Sequence, residues 1–377
     1  MNVEAQTESD VEVIAVLETV DRAVAELRRG SAVVVISDGE AVLARPAETV
    51  DARPLPYFNR QDLDEITVAV TGRRAAILGL AEPAAPAVIL RQQDGFSPNS
   101  IRTLIDPKAD AQGPVPPLGV TGKMVGDGSA AYIAVRLTKI ARLLPAVVVA
   151  TITANDPVAW ANANGRTVVS AAAVRAYDRL QADTLVPVSE ATVPLAGCEN
   201  TKIIAFRPRD GGVEHLAIVI GEPDTNGPVL ARLHSECFTG DLLGSLKCDC
   251  GDQLRGAITA IAEDGGGVLL YLAQEGRGIG LVNKLRAYEL QEKGFDTVDA
   301  NEQLGFDDDE RIYLPAVQML THLGIDQVKL LTNNPAKVGA LARHGVAVTE
   351  RVAHVFPSNQ HNWSYLDTKA KRSGHLF

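Results

Sequence analysis

The chain has 377 residues with 36 Lys+Arg against 47 Asp+Glu, a formal net charge of −11, and is too long for one small core, so two domains are expected. Hydrophobic residues at 46% and charged residues at 22% match a globular chain and exclude a disordered or fibrous one. The acidic balance without any basic block excludes a duplex nucleic-acid surface, which needs clustered Lys and Arg, but leaves room for a local basic pocket that takes a small phosphorylated ligand.

The start, MNVEAQTESDVEV, is acidic and has neither the basic opening nor the apolar run of a signal peptide. Apolar runs such as PAVVVATI fall well short of the roughly 20 residues a membrane helix needs. A cytoplasmic protein with no membrane partner is therefore expected. After a polar tail, residues 13–30 carry apolar positions at helical spacing and stop at Gly30. SAVVVISDGE reads as a buried strand and a turn. Pro-rich stretches follow at 54–58 and 81–90, and the Gly/Pro-rich segment 106–128 is expected to be irregular. Residues 129–144 read as a helix, 145–152 as a strand, and Asp156-Pro157 as a helix start. A short strand and a closing helix occupy 167–180.

The stretch 181–197 has few periodic apolar positions and reads as an inter-domain connection, with the boundary near residue 184. Beyond it KIIAF, HLAIVIG, VLARLHSEC, GVLLYLA and VKLLTNN read as strands. The segments 252–266, 278–294, 314–324 and 336–345 read as helices. Strands alternating with helices predict an α/β fold of two domains, 1–183 and 184–377, each a mixed sheet with packed helices.

The reactive residues are unevenly distributed. All seven histidines and all four cysteines fall after residue 197, so a thiolate, an imidazole base or a zinc site must lie in the second half. Four cysteines, three of them crowded, are not the framework of a secreted disulfide domain. Cys237, Cys248 and Cys250 stand as C-x10-C-x-C. Three soft thiolates with an open fourth position make a catalytic zinc site. A closed structural site with Cys198 or His234 as fourth ligand, or unmetallated buried cysteines, fit the spacing too. QEGRGIGLVNK, at 274–284, is a Gly-rich turn opening a helix, where backbone N–H groups and Arg277 can hold an anion or simply turn the chain. LTNNPAKV places Thr332 and Lys337 at a second such junction, and LGFDDDERIY is an acidic run that ordinarily faces solvent.

Taken together, HSECFTGDLLGSLKCDCGDQL, LAQEGRGIGLVNKLRAYELQEKGFDTVDAN, QLGFDDDERIY, LLTNNPAKV and YLDTKAKRSGHL resemble GTP cyclohydrolase II in order and separation, over about residues 185–377. That family opens the guanine imidazole ring of GTP, releases formate and pyrophosphate, and forms the diaminopyrimidinone ribosylamine phosphate that begins riboflavin synthesis. The resemblance implies one zinc ion per subunit on Cys237, Cys248 and Cys250, activating the water that attacks C8. It also implies magnesium with the substrate triphosphate, and a homodimer. Arg232, His234, Ser235, Glu236, Gln253, Glu275, Gly276, Arg277, Thr297, Thr332 and Lys337 fall on the family's substrate-binding positions. Tyr288 matches the tyrosine associated with hydrolysis, Asp309 the general base, and Arg311 a proposed nucleophile toward the α-phosphorus. A guanidinium stays protonated, so Arg311 is expected instead to stabilise developing phosphate charge. Other functions that the sequence admits are a paralogue that keeps the formyl group, one serving pyrimidine breakdown, and a non-catalytic nucleotide-binding subunit.

Residues 20–178 faintly resemble dihydroxybutanone-phosphate synthase, often fused to such cyclohydrolases. The dense acidic stretch that binds magnesium there is reduced to Asp38 and Glu40, and the histidine expected ahead of the late helix is replaced by VGDGSAA. Enediol chemistry needs metal-binding carboxylates and acid–base groups, so a catalytically inert first domain is expected.

Overall fold

The computed structural model describes residues 3–50, 62–107, 119–363, 370–372 and 374. The Pro-rich stretch at 54–58, residues 108–118 of the segment expected to be irregular, and most of the YLDTKAKRSGHL motif lie outside them. The chain forms two compact units, one of Met1–Tyr177 with Val282–Glu310 and one of Asp178–Leu281 with Arg311–Phe377. Within the first of these units Val282–Glu310 packs with residues of the first half.

In chain order the first half runs through α1 (Val3–Arg28), β1 (Val33–Ser37), β2 (Glu40–Pro46), β3 (Thr67–Thr71), α2 (Gly72–Ile77), β4 (Ala87–Gln92), α3 (Pro98–Ile105) and β5 (Val120–Val125). It continues through α4 (Ala130–Ile140), β6 (Ala146–Thr151), α5 (Pro157–Ala163), β7 (Val168–Ser170) and α6 (Ala171–Asp183). The strands form a seven-stranded sheet in the order β5-β4-β3-β6-β2-β1-β7, antiparallel except for the β1–β7 pair. Val33, Val34 and Val35 of β1 and Val147 and Val148 of β6 are fully buried, as a continuous apolar run requires. The Asp156-Pro157 signal works as read: the Asp156 carboxylate accepts from the backbone N–H groups of Val158 and Ala159 and caps α5. The 106–128 segment, expected to be irregular, contains β5. This strand pairs with β4 at the sheet edge and exposes its four central residues, so it carries none of the alternation that marks a half-buried strand.

The rest of the chain contributes β8 (Leu185–Thr192), β9 (Thr201–Pro208), β10 (His215–Gly221), β11 (Val229–Ser235), α7 (Cys250–Glu263), β12 (Gly266–Leu272), α8 (Leu281–Glu292) and α9 (Thr297–Gln303). It ends with α10 (Leu314–His322), β13 (Gln327–Leu331), α11 (Pro335–Arg343) and β14 (Ala347–Val352). The second sheet has the order β14-β13-β11-β12-β10-β9-β8. β14, β13, β11 and β12 run parallel, and β10, β9 and β8 complete the sheet antiparallel. The expected connection at 181–197 contains β8, an exposed edge strand whose register shifts between Pro187 and Ser189, where a residue without an N–H interrupts the ladder. One core joins Phe206, Ala217, Leu233, Leu270 and Leu272 of this sheet to Met319 and Leu320 of α10 and Leu341 of α11.

Leu270 is fully buried in β12, in register with Ala217 of β10 and Leu233 of β11. Leu270→Ala is expected to cost about 2–5 kcal/mol, read as a lower urea midpoint for the second unit's unfolding.

Candidate functional site

The parallel part of the second sheet explains why distant motifs meet. β13, β11 and β12 are neighbours and point the same way, so the segments leaving their C-terminal ends gather at one edge, where ligands of α/β sheets bind. β11 delivers Arg232, His234 and Ser235, then Glu236 and Cys237; β12 leads to Gln274, Glu275, Gly276 and Arg277; β13 leads to Thr332 and Lys337.

The Cys237, Cys248 and Cys250 sulfurs lie within 4.8 Å of one another, the only cluster of potential metal ligands of this kind among the described residues. Cys237 Sγ and Cys248 Sγ are 3.7 Å apart. A tetrahedral ion about 2.3 Å from each sulfur sets such a separation at about 3.8 Å. Gly240, in a wide π-type turn over Phe238–Leu242, floors the cluster: a Cβ there would stand 2.7 Å from Cys248 Sγ and 3.0 Å from Cys237 Sγ. Hydrogen bonding with Cys237 is the main influence that pushes the Cys248 thiol up to about 11, and Cys250 is raised well above the usual thiol range by the same crowding and by burial. Three thiols that oppose each other's ionisation are what a soft dication relieves, so the donor set fits zinc.

The turn also holds a residue the sequence reading missed. The Asp241 carboxylate accepts from Cys237 N at 2.9 Å and from the Tyr271 hydroxyl at 2.9 Å, and both its oxygens lie 3.1 Å from His234 Nε2. His234 stacks on Tyr271 with ring centroids 5.6 Å apart. Burial lowers the His234 pKa despite Asp241, and raises that of Tyr271, so the ring and the phenol are both neutral. A neutral imidazole that donates from Nε2 presents Nδ1 as an acceptor.

Arg232 is buried, and burial lowers its pKa to about 10, which keeps it cationic at neutral pH. Its Nη1 donates to Leu331 O at 2.8 Å and its Nη2 to Gln253 Oε1, while Gln253 Nε2 donates to Asp249. Arg232 Nε, His234 Nδ1, Ser235 Oγ and Gln274 Oε1 are buried without a protein hydrogen-bond partner. Buried polar atoms are nearly always matched, and four such atoms in the segments flanking the thiols mark a ligand surface.

The Glu275 carboxylate ties the Gly-rich turn to the cysteine turn, accepting from Phe238 N at 2.6 Å and Gly276 N at 2.8 Å. Gly276 and Arg277 have φ of +66° and +61°; the left-handed backbone is disfavoured for arginine and is the sort of strain that collects at functional sites. Lys337 is buried and donates to Leu233 O at 2.8 Å. Lys337 Nζ and the Arg311 guanidinium lie 6.0 and 5.9 Å from the centroid of the Tyr313 ring. Thr332 is buried, its hydroxyl accepting from Asn334 N. The second unit thus contains the three cysteines, Arg232, His234, Ser235 and Glu236 in and just after β11, Glu275, Gly276 and Arg277 after β12, Thr332 and Lys337 after β13, Gln253 and Arg311. Tyr288, Thr297 and Asp309 belong to Val282–Glu310 and hence to the first unit. There Tyr288 is half-buried with Lys284 Nζ 5.6 Å from its ring centroid, Thr297 opens α9, and Asp309 is exposed.

His354 was also missed, because nothing near VAHVF marks it. It is buried, pairs with Asn333 through both backbone groups, and sets Nε2 2.8 Å from Gln253 O.

Gly240→Ala is expected to weaken retention of zinc by about tenfold or more, measured by elemental analysis after challenge with a chelator. Burial first, and Arg232 second, push the His354 pKa down to about 4, against about 6.5 in an unfolded chain. The unfolded state therefore binds the extra proton, and the stability contribution from His354 is complete above pH 6.5 and lost as pH falls toward 4. His354→Gln is expected to shrink the fall in urea midpoint between pH 7 and pH 5.

Residues 186–353 match the family described as GTP cyclohydrolase II. A GTP cyclohydrolase-2 of Azospirillum brasilense is 51% identical over 366 residues, which cover 96% of this chain and 95% of that one. A GTP cyclohydrolase-2 of Pseudomonas paraeruginosa is 57% identical over 171 residues, 45% of this chain and 83% of that one. Among solved structures, a two-domain 3,4-dihydroxy-2-butanone 4-phosphate synthase from A. baumannii is 17% identical, covering 83% of this chain and 93% of that one with a TM-score of 0.34. With a relative at 51% identity over nearly its whole length, the chain belongs to the GTP cyclohydrolase II family.

Proposed function

We propose that this chain hydrolyses the imidazole ring of GTP at C8, releasing formate and pyrophosphate and leaving the diaminopyrimidinone ribosylamine phosphate from which riboflavin is made. Family membership supports the ring opening. The observation that carries the chemistry is the three-thiol cluster flanked by buried, unmatched polar atoms of Arg232, His234 and Ser235. Cys237, Cys248 and Cys250 would hold one zinc ion, which when bound supplies a water acidic enough to ionise near neutral pH.

The chain's own groups divide the remaining work. His234, with Nε2 held by Asp241, can accept a hydrogen bond or a proton at Nδ1. Arg232, with both terminal nitrogens engaged, can donate at Nε, and Gln253 fixes its plane. Ser235 and Glu236 line the same segment, and Glu275 holds the Gly276–Arg277 turn beside the cysteine turn. Arg277, Arg311 and Lys337 supply cationic charge for the triphosphate, with Thr332 beside Lys337; charge already in place where charge develops lowers the barrier. Arg311 acts here as a charge rather than a nucleophile. Magnesium would arrive on the triphosphate, as it commonly does. Tyr288, Thr297 and Asp309 keep the roles their family positions imply.

The first half, residues 1–183, is read as non-catalytic and 184–377 as the stretch that carries the cyclohydrolase sequence. The Glu40 carboxylate, one of the two acids left at the synthase position, accepts from Ala130 N at 2.9 Å, the first N–H of α4, whose N-cap is Ser129. Among the described residues no helix is long and apolar enough to cross a membrane; a cytoplasmic homodimer completes the reading.

Incubating purified, zinc-replete protein with GTP and magnesium should release formate and pyrophosphate over many turnovers. Absence of formate would refute the proposal. Cys248→Ser should lose zinc and turnover together, and retained turnover would reject the metal assignment.

A further inference from the structure

The stretch that returns to the first unit, Val282–Glu310, is rooted in residues of the otherwise unassigned first half. Residues 303–306 are all buried. Gly305 has a φ of +87°, and a Cβ there would stand 3.0 Å from Thr71 Oγ1 and 3.0 Å from Pro145 Cγ, so only glycine admits this approach. Its carbonyl accepts from the Thr71 hydroxyl at 2.8 Å. Arg74, just 2% exposed, donates from Nη1 to Gln303 O at 3.1 Å, while its Nε and Nη2 bind Leu104 O.

Above this root stands the acidic run 307–310. Lys139 Nζ, on α4, lies 2.6 Å from Glu310 Oε1 and 3.4 Å from Asp307 Oδ2. Arg73, on α2, lies 3.1 Å from Asp307 and 2.8 Å from Glu302. Glu310 also accepts from Asp307 N at 2.9 Å and closes the loop on itself. Four consecutive acids repel one another and favour an open, solvated segment. Two cations from the first half, fixed on the acids at either end of the run, hold it in one shape instead.

We propose that Arg73 and Lys139 are positioning residues of the cyclohydrolase reaction: the first half, without chemistry of its own, acts as the mould that sets the loop carrying Asp309. The inference rests on the function proposed above. The pairs are partly buried at the surface and sit on a root already fixed by Thr71 and Arg74, so the clamp acts through placement, and a catalytic group displaced by about 1 Å loses up to about 100-fold in rate.

The test compares full-length wild type with Arg73→Gln/Lys139→Met, which keeps the stems and removes the charges, and with Arg73→Lys/Lys139→Arg, which restores them. For the neutral pair, formate release is expected to fall at least tenfold in kcat with KM for GTP, zinc content and thermal midpoint unchanged. Faster hydrogen exchange is expected at 302–310. The charge-conserving pair should recover most of the rate. A neutral pair within twofold of wild-type kcat overturns the proposal, as does a charge-conserving pair that folds like wild type but stays as slow as the neutral one. Should the neutral pair unfold, the single Lys139→Met variant decides by the same kcat criterion. A wild type that releases no formate defeats the function itself, and this inference with it, which distinguishes that failure from the others.

Discussion

A carboxylate taken out of water needs donors to replace the solvent it has lost. Asp241, with a side chain 6% exposed, finds three: the backbone N–H of Cys237, the Tyr271 hydroxyl and His234 Nε2. These come from the cysteine turn, from β12 and from the end of β11, so one carboxyl group ties three parts of the site together. It sets where the first thiol of the cluster begins, which nitrogen of His234 bears the proton, and how Tyr271 lies against the imidazole. Gly240, the residue before it, leaves the sulfurs the space that any side chain would take. The thiol cluster and the neighbouring acceptor are therefore one construction, since the same turn supplies the carboxyl group and the room.

The gathering of the polar groups beside the cysteines follows from strand direction. Arg232 and His234 precede the C-terminal end of β11, Glu275 follows β12, and Thr332 follows β13. Each position was legible as a strand running into a polar segment. Their convergence was not, because it depends on the order β13-β11-β12, which the spacing of residues along the chain does not encode. The long buried strands and amphipathic helices were readable for the same reason that they are stable, since one face or both must be apolar. β5 and β8 escaped because edge strands with solvent on both faces need no apolar pattern. The three cysteines announced themselves by spacing. Asp241 did not, since an acid in a turn is ordinary until its donors are seen around it, and His354 depends wholly on partners distant in sequence.

By compactness Val282–Glu310 belongs with the first half. Read as sequence, residues 185–377 are one continuous cyclohydrolase and the first half is an appendage with missing chemistry. By compactness, the chain leaves the second unit after Leu281 and returns to it at Arg311, and the excursion carries Tyr288, Thr297 and Asp309. α8 is held there too, with Asn283 Nδ2 donating to Arg142 O at 3.0 Å and Arg286 Nη1 lying 3.0 Å from Glu48 Oε2, which also accepts from Leu144 N.

An acidic run is ordinarily a solvated face, and the two acids that end this one instead rest against cations of the first half. Ordering such a run costs conformational entropy at every residue and repulsion between neighbouring carboxylates. Both costs are offset where the root is buried and the flanking charges are matched: Phe306 is 1% exposed and Gly305 packs directly on Thr71. The grip on this segment is built from Thr71, Arg73, Arg74 and Lys139, four side chains of the first half that act by hydrogen bond and charge alone.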